Sequence, residues 1–136
     1  MNRTYSRTFT TFAGGFLLLQ GVSTLLFLLV PGLDRAFPTL LNVTQMVEAH
    51  SIVHIASGLL AFAILRVSDH RGTMLFAAVF GAFYAGLGLV GMFSSQLAGL
   101  GMQPFDHPFH LLVGGLGLAA ASFDYRASQR GKEVFG

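Results

Sequence analysis

The sequence has 136 residues, enough for one domain, and 53% of them are hydrophobic while only 10% are charged. A soluble domain carries about 25% charged residues, so a soluble chain of this composition would expose large apolar patches to water. We therefore predict an integral membrane protein. The formal net charge of +2 and the lack of a basic motif argue against nucleic-acid binding. The absence of cysteine excludes disulfides, thiolate ligands and cysteine-based catalysis.

Four stretches without Asp, Glu, Lys or Arg divide the chain, and each is long enough, or nearly so, to cross a bilayer in about 20 residues. Pro31 and Gly32 end the first stretch, a polar turn over 68–72 ends the second, and Asp106 or His107 can cap a last helix with Pro108 in its first turn. We predict an all-α, four-helix membrane bundle that forms a single domain over 1–136. Its transmembrane helices are predicted at about 9–30, 47–66, 73–96 and 107–125.

The basic residues predict the direction of these helices, because Lys and Arg favour the cytoplasmic side. With four crossings, Arg35 is on one side and the other seven basic residues are on the opposite side: Arg3, Arg7, Arg66, Arg71, Arg126, Arg130 and Lys132. The N-terminus, the 68–72 turn and the C-terminus are therefore predicted to be cytoplasmic, in a multi-pass protein of the bacterial inner (plasma) membrane. The first apolar stretch is longer than a signal-peptide core, which favours a retained helix.

The second and fourth predicted helices are similar in sequence. The second reads His50-x3-His54-x3-Gly58, and the fourth reads Asp106-x3-His110-x3-Gly114. Each follows a predicted outward helix that is rich in apolar and small residues. This pattern predicts two similar hairpins related by a pseudo-two-fold axis along the membrane normal.

The repeat predicts a polar cluster near the outer face of the membrane. His54 and His110 would lie at one depth, with His50 and Asp106 one helical turn further out. Ionisable side chains within a span usually face the bundle interior and serve a function. Three His and one carboxylate form a plausible ligand set for Zn, Cu or Fe. His107, three residues before His110, is a further and weaker candidate.

Other interpretations of these residues stay open at this point. Imidazoles on facing helices, His54 and His110 above all, could instead ligate haem or a chlorophyll-type pigment. The same His side chains could also bond backbone carbonyls or each other, and Asp106 could act only as a helix cap. His70 is expected to lie in a cytoplasmic turn without a special role.

Two segments carry a resemblance to a known family. They are Glu48-Ala-His-Ser-Ile-Val-His-Ile-Ala-Ser-Gly-Leu-Leu-Ala and Phe105-Asp-His-Pro-Phe-His-Leu-Leu-Val-Gly-Gly. The chain resembles an uncharacterised family of small four-helix bacterial membrane proteins, a domain of unknown function. The resemblance covers about 14–121 and implies a four-helix fold but no activity. His50, His54, Asp106 and His110 match its motif positions, whereas His107 does not match clearly.

Three functions follow as hypotheses. The first is a membrane protein that binds a metal or metal cofactor at the His/Asp cluster, with a redox, metal-handling or hydrolytic role. The second is an accessory subunit of a larger membrane complex or a homo-oligomer, because the glycine-rich helices permit close packing. The third is a channel or transporter for a small solute. No phosphate loop, H-E-x-x-H or G-x-S-x-G motif is present, so the sequence does not decide whether the protein is an enzyme.

Overall fold

A computed structural model of the chain describes residues 4–30, 32–37, 47–94 and 99–135, and most of these residues are helical. Among them, four helices are long and one is a single turn. They are α1 (Tyr5–Leu29), α2 (Leu33–Ala36), α3 (Glu48–Val67), α4 (His70–Gly91) and α5 (Asp106–Phe135). The prediction of an all-α bundle built from four long helices is confirmed.

The bundle has an apolar exterior and a partly polar interior. Large apolar side chains such as Phe12 and Leu19 are exposed, whereas Thr10, His54 and Thr73 are buried. Three helices, α1, α3 and α4, are long and apolar enough to cross a membrane. This distribution suits a bilayer, in which apolar side chains on the outside of the bundle face the lipid chains. The structure therefore supports a multi-pass membrane protein.

The last helix, α5, is not among these three candidate spans. Its first turns contain Asp106, His107 and His110, which lower the mean hydropathy of the stretch that would cross the bilayer. A fourth crossing, and with it the N-in and C-in orientation, stays a prediction. The helix is also longer than the predicted 107–125, because the polar sequence after Tyr125 continues it to Phe135.

Side-chain caps make two helices begin earlier than predicted. The Thr4 hydroxyl accepts a hydrogen bond from the Arg7 backbone N–H at 3.3 Å, so α1 begins at Tyr5. The Asp69 carboxylate accepts one from the Gly72 N–H at 2.8 Å, so α4 begins at His70. Both residue types satisfy backbone donors that a helix N-terminus leaves free.

The long helices pack mainly in two pairs, α1 with α3 and α4 with α5. Glycines allow the close approach in both pairs. A Cβ atom added at Gly21 of α1 would lie 2.7 Å from the Ser51 carbonyl oxygen of α3. A Cβ added at Gly88 of α4 would lie at the same distance from the His107 carbonyl oxygen of α5. Helix contact through small residues is typical of membrane bundles.

Contacts at one end of the bundle join the start of α1 to the end of α3 and to the second half of α5. The Arg7 guanidinium donates a hydrogen bond to the Leu65 carbonyl oxygen near the end of α3, at 2.9 Å. The Asp124 carboxylate of α5 accepts hydrogen bonds from the Tyr5 and Ser6 N–H groups at 3.1 and 2.8 Å. The polar residues of the predicted site are at the opposite end.

Candidate metal centre

Three histidines meet inside the bundle near the starts of α3 and α5. His50 and His54 are one helical turn apart on α3, so they share a face of that helix. His110 follows the first turn of α5. All three side chains are at most 2% exposed. We call His50, His54 and His110 the three-His cluster.

The geometry of the three-His cluster is close to that of a metal site. One ring nitrogen from each residue can be chosen so that the three nitrogens all lie within 4.8 Å of one another. A tetrahedral ion with metal–nitrogen bonds of about 2.0–2.1 Å holds its ligand nitrogens about 3.3 Å apart. Modest side-chain rotation would therefore bring the three imidazoles onto one ion.

Several buried nitrogens of this cluster have no hydrogen-bond partner among the described residues. They are both ring nitrogens of His54 and the Nδ1 atoms of His50 and His110. A buried polar atom without a partner destabilises the folded state by about 1–3 kcal/mol. These unpaired nitrogens are available to a bound ion, which the three-His cluster could hold. An ion bound through these nitrogens would give them a partner. The imidazoles do not pair with one another through these nitrogens, because these nitrogens form no hydrogen bond among the described residues.

Asp106 lies beside the cluster rather than within it. Its Oδ2 atom is 3.9 Å from Nδ1 of His50, just beyond hydrogen-bond distance. The same oxygen accepts a hydrogen bond from the Gln103 backbone N–H at 2.7 Å, in the turn that leads into α5. The structure thus brings three of the four principal candidates together and places the fourth next to His50.

His107, the weaker candidate, faces a different neighbour. Its imidazole packs against Gly91 at the end of α4, where an added Cβ atom would collide with the ring. Successive helical residues differ in direction by about 100°, so His107 and His110 need not face the same neighbour. Within the described part of the chain, His107 is not one of the residues grouped as possible metal ligands.

Tyr84 of α4 is a neighbour of the site that the sequence pattern does not single out. Its side chain is 1% exposed, and its ring centroid lies 5.3 Å from that of His110 and 6.4 Å from that of His54. A tyrosine in the middle of an apolar span is the available signal. The repeat does not indicate this residue, because α1, the corresponding helix of the other hairpin, has no tyrosine at the equivalent position.

An apolar layer lies next to the cluster on the side of the basic helix ends. Tyr84 stacks on Phe80 with a centroid distance of 4.4 Å, and both pack with Leu17 in the hydrophobic core. Phe80, Tyr84 and Leu17 are at most 7% exposed. Three large side chains therefore pack together in the core on this side of the histidines.

The fold and the site together define a candidate multi-pass membrane protein with a buried three-His group that could hold a metal ion. No family model matches the chain. No curated protein and no solved structure matches it either. The resemblance to an uncharacterised membrane family is therefore not supported by a family match, and any function has to be inferred from the site.

Proposed function

We propose that this protein binds a single transition-metal ion within the membrane through His50, His54 and His110. The observation that carries the proposal is the convergence of three buried imidazoles whose ring nitrogens lie within 4.8 Å of one another. Both ring nitrogens of His54 and the Nδ1 atom of His110 also lack a hydrogen-bond partner within the described part of the chain. A neutral imidazole nitrogen that donates to nothing and accepts from nothing is free to ligate a metal.

The composition of the cluster narrows the choice of metal. Imidazole ligands suit Zn, Cu and Fe, whereas Mg and Ca prefer sites made of oxygen atoms. The chain has no cysteine to supply a thiolate. Asp106 adds one carboxylate beside His50. We therefore propose Zn, Cu or Fe, with a role in metal handling or redox chemistry at the membrane.

A single ion fits the cluster better than haem or a chlorophyll-type pigment. The three ring centroids are 4.6, 5.7 and 6.1 Å apart. A macrocycle ligated by any two of these imidazoles would need the space in which the third ring stands. A small ion needs no such space and uses all three rings.

We propose that the site faces the outer half of the bilayer. The support is the positive-inside rule, which assigns the basic ends of the helices to the cytoplasm. Arg7 contacts the end of α3, so the basic ends of α1 and α3 meet at one end of the bundle. The cluster lies towards the other end, near the starts of α3 and α5. The corresponding location is the bacterial plasma membrane.

The two helix pairs also support an internal repeat. The contact of Gly21 with Ser51 has its counterpart in the contact of Gly88 with His107, and both sit at the same position relative to the His motifs. Such matched packing is expected when a duplicated hairpin keeps its contacts. His54 and His110 would then be equivalent positions near the axis between the pairs, and His50 and Asp106 a second equivalent pair.

Metal analysis of the purified protein tests the proposal. The wild type would be reconstituted with Zn, Cu or Fe in detergent, desalted and measured for metal per chain beside the double variant His54→Ala/His110→Ala. We expect near-stoichiometric metal in the wild type and almost none in the double variant. His70→Ala is the matched control, because His70 is an exposed residue at the start of α4, and it should retain the metal. Equal metal content in the double variant and the wild type, or none in either, would refute the proposal.

A further inference from the structure

We infer that Asp106 acts on the bound metal through His50 rather than as a ligand, and that the three-His site keeps a fourth coordination position for water or a small anion. This inference rests on the proposed metal site and assigns it an additional ligand class. Its starting point is the position of Asp106, which lies beside His50 at the edge of the cluster.

The distances separate Asp106 from the three histidines. Four ligands of a tetrahedral ion all lie about 3.3 Å apart, and the three imidazole nitrogens are within 4.8 Å of one another. Asp106 does not belong to that mutually close group among the described residues. Its contact within 4 Å is with His50, where 3.9 Å separate Oδ2 and Nδ1.

The Asp106 carboxylate is also held in place by the chain before α5. Its Oδ2 atom accepts a hydrogen bond of 2.7 Å from the Gln103 backbone N–H, and the side chain is 7% exposed. The carboxylate is thus held between the turn that leads into α5 and the His50 ring. To accept a hydrogen bond from His50, it has to move by only about 1 Å, since such bonds are about 2.8 Å long.

Metal-bound histidines commonly donate their second ring N–H to a carboxylate, which fixes the tautomer and the orientation of the ring. The Nδ1 atom of His50 is the one that faces Asp106. A proton on Nδ1 leaves Nε2 as the nitrogen that binds the metal. Asp106 is therefore a positioning residue: it selects the tautomer of His50 and balances part of the charge of the ion.

With Asp106 outside the coordination sphere, the protein supplies three ligands. Zinc sites with three protein ligands keep a fourth position for water or another small ligand, whereas structural sites with four protein ligands are closed. The ring of Tyr84 borders the cluster, since it is in edge contact with His110 and lies near His54. Water, hydroxide or a small anion such as azide is the ligand class that the open position would accept.

Cobalt(II) provides the test, because its visible spectrum reports coordination directly. The full chain in detergent would be loaded with Co(II), and affinity would be measured by competition with a chelator for the wild type, Asp106→Asn and Asp124→Asn. The Asn side chain at 106 can still accept the Gln103 bond, so the helix cap is kept. Asp124 is the matched control, a buried carboxylate that accepts backbone N–H groups at the other end of the bundle.

We expect Asp106→Asn to bind Co(II) at the same stoichiometry with the same class of spectrum, but about 10–100-fold more weakly. Asp124→Asn should bind like the wild type. In ¹⁵N-histidine NMR spectra of the Zn form, the wild type should contain one more Nδ1–H signal held in a hydrogen bond than Asp106→Asn. Addition of azide should shift the visible bands of the wild type.

Each other result has a distinct meaning. Loss of stoichiometric binding in Asp106→Asn, with the fold intact, would make Asp106 a ligand and overturn the inference. An unchanged affinity would remove its positioning role, and a spectrum insensitive to azide would show a closed site. A wild type that binds no Co(II), or a His110→Ala variant that binds it equally well, would overturn the metal site itself and the inference with it.

Discussion

The backbone N–H of Ser6 donates a 2.8 Å hydrogen bond to Oδ2 of Asp124, across 118 positions of the sequence. Tyr5 donates to the other carboxylate oxygen of the same residue. One buried carboxylate on α5 therefore caps the N-terminus of α1. Its negative charge also interacts favourably with the positive end of the helix dipole there. This contact closes the bundle by joining its first and last helices.

Removal of this contact should destabilise the bundle. Hydrogen bonds to charged groups contribute about 1.5–3 kcal/mol, and Asp124 is 4% exposed. We expect Asp124→Ala to lower the free energy of unfolding in detergent by about 2 kcal/mol or more. Asp69→Ala removes an exposed cap with a single bond to Gly72 and should lower it by about 1 kcal/mol. Equal losses in the two variants would contradict the special role of Asp124.

The close approach of α4 and α5 gives a second prediction. In Gly88→Ala, the added Cβ would lie 2.7 Å from the His107 carbonyl oxygen and 2.8 Å from the Leu111 backbone nitrogen, which are fixed atoms. Overpacking of this kind destabilises by about 1–3 kcal/mol, so the melting temperature should fall. Gly86→Ala is the control, because no atom lies within 4 Å of its added Cβ and alanine is the better helix former. A lower melting temperature for Gly86→Ala than for Gly88→Ala would refute the close packing of these two helices at Gly88.

Metal should stabilise the protein if it binds to the folded state and not to the unfolded state. A ligand present at 100 times its dissociation constant stabilises by about 2.7 kcal/mol. The melting temperature of the wild type should therefore rise on addition of Zn and fall again with a chelator. The His54→Ala/His110→Ala variant should show neither change, and His70→Ala should behave like the wild type. A rise of the same size in the double variant would mean that Zn acts elsewhere on the chain.

Tyr84→Phe should separate anion binding from metal binding. The ring and its stacking on Phe80 are kept, so we expect unchanged metal content. If the hydroxyl donates to a ligand in the fourth position, the loss of about 1 kcal/mol should weaken azide binding to the Co(II) form roughly fivefold. The titration of the visible bands measures this change. An unchanged azide affinity would reduce Tyr84 to a packing residue.

The orientation can be tested with single cysteines, because the natural chain contains none. We expect Ser128→Cys, beyond the predicted end of the last crossing, to react with a membrane-impermeant maleimide only after the cells are permeabilised. Phe105→Cys, just before α5, should react in intact cells. Labelling of both positions from the same side would eliminate the fourth crossing.

The sequence predicts the four long helices because charged residues, with Pro and Gly, separate its apolar stretches. It also predicts that His50, His54 and His110 meet, since spacing on a helix fixes which side chains share a face and the repeat relates α3 to α5. It does not predict the place of His107 or the neighbourhood of Tyr84. Those depend on how far each helix is rotated about its axis, and packing against the other helices sets that rotation.

The longer extent of α5 and its contact with α1 are also absent from the sequence prediction. Hydropathy marks where a helix leaves the apolar layer but not where it ends, because a polar sequence can continue a helix in water. Asp124 stands at that border, where hydropathy indicates only the end of a span. Its actual partner, the start of α1, is distant in sequence, and no local pattern encodes such a pairing.

The layer of Leu17, Phe80 and Tyr84 beneath the histidines has a consequence for the cell. In the proposed orientation, these side chains lie between the three-His cluster and the cytoplasmic ends of the helices, so we expect a bound ion to exchange with the outer side. Cytoplasmic chelators and metallochaperones would then have no influence on occupancy, which would follow the supply of metal outside the cell.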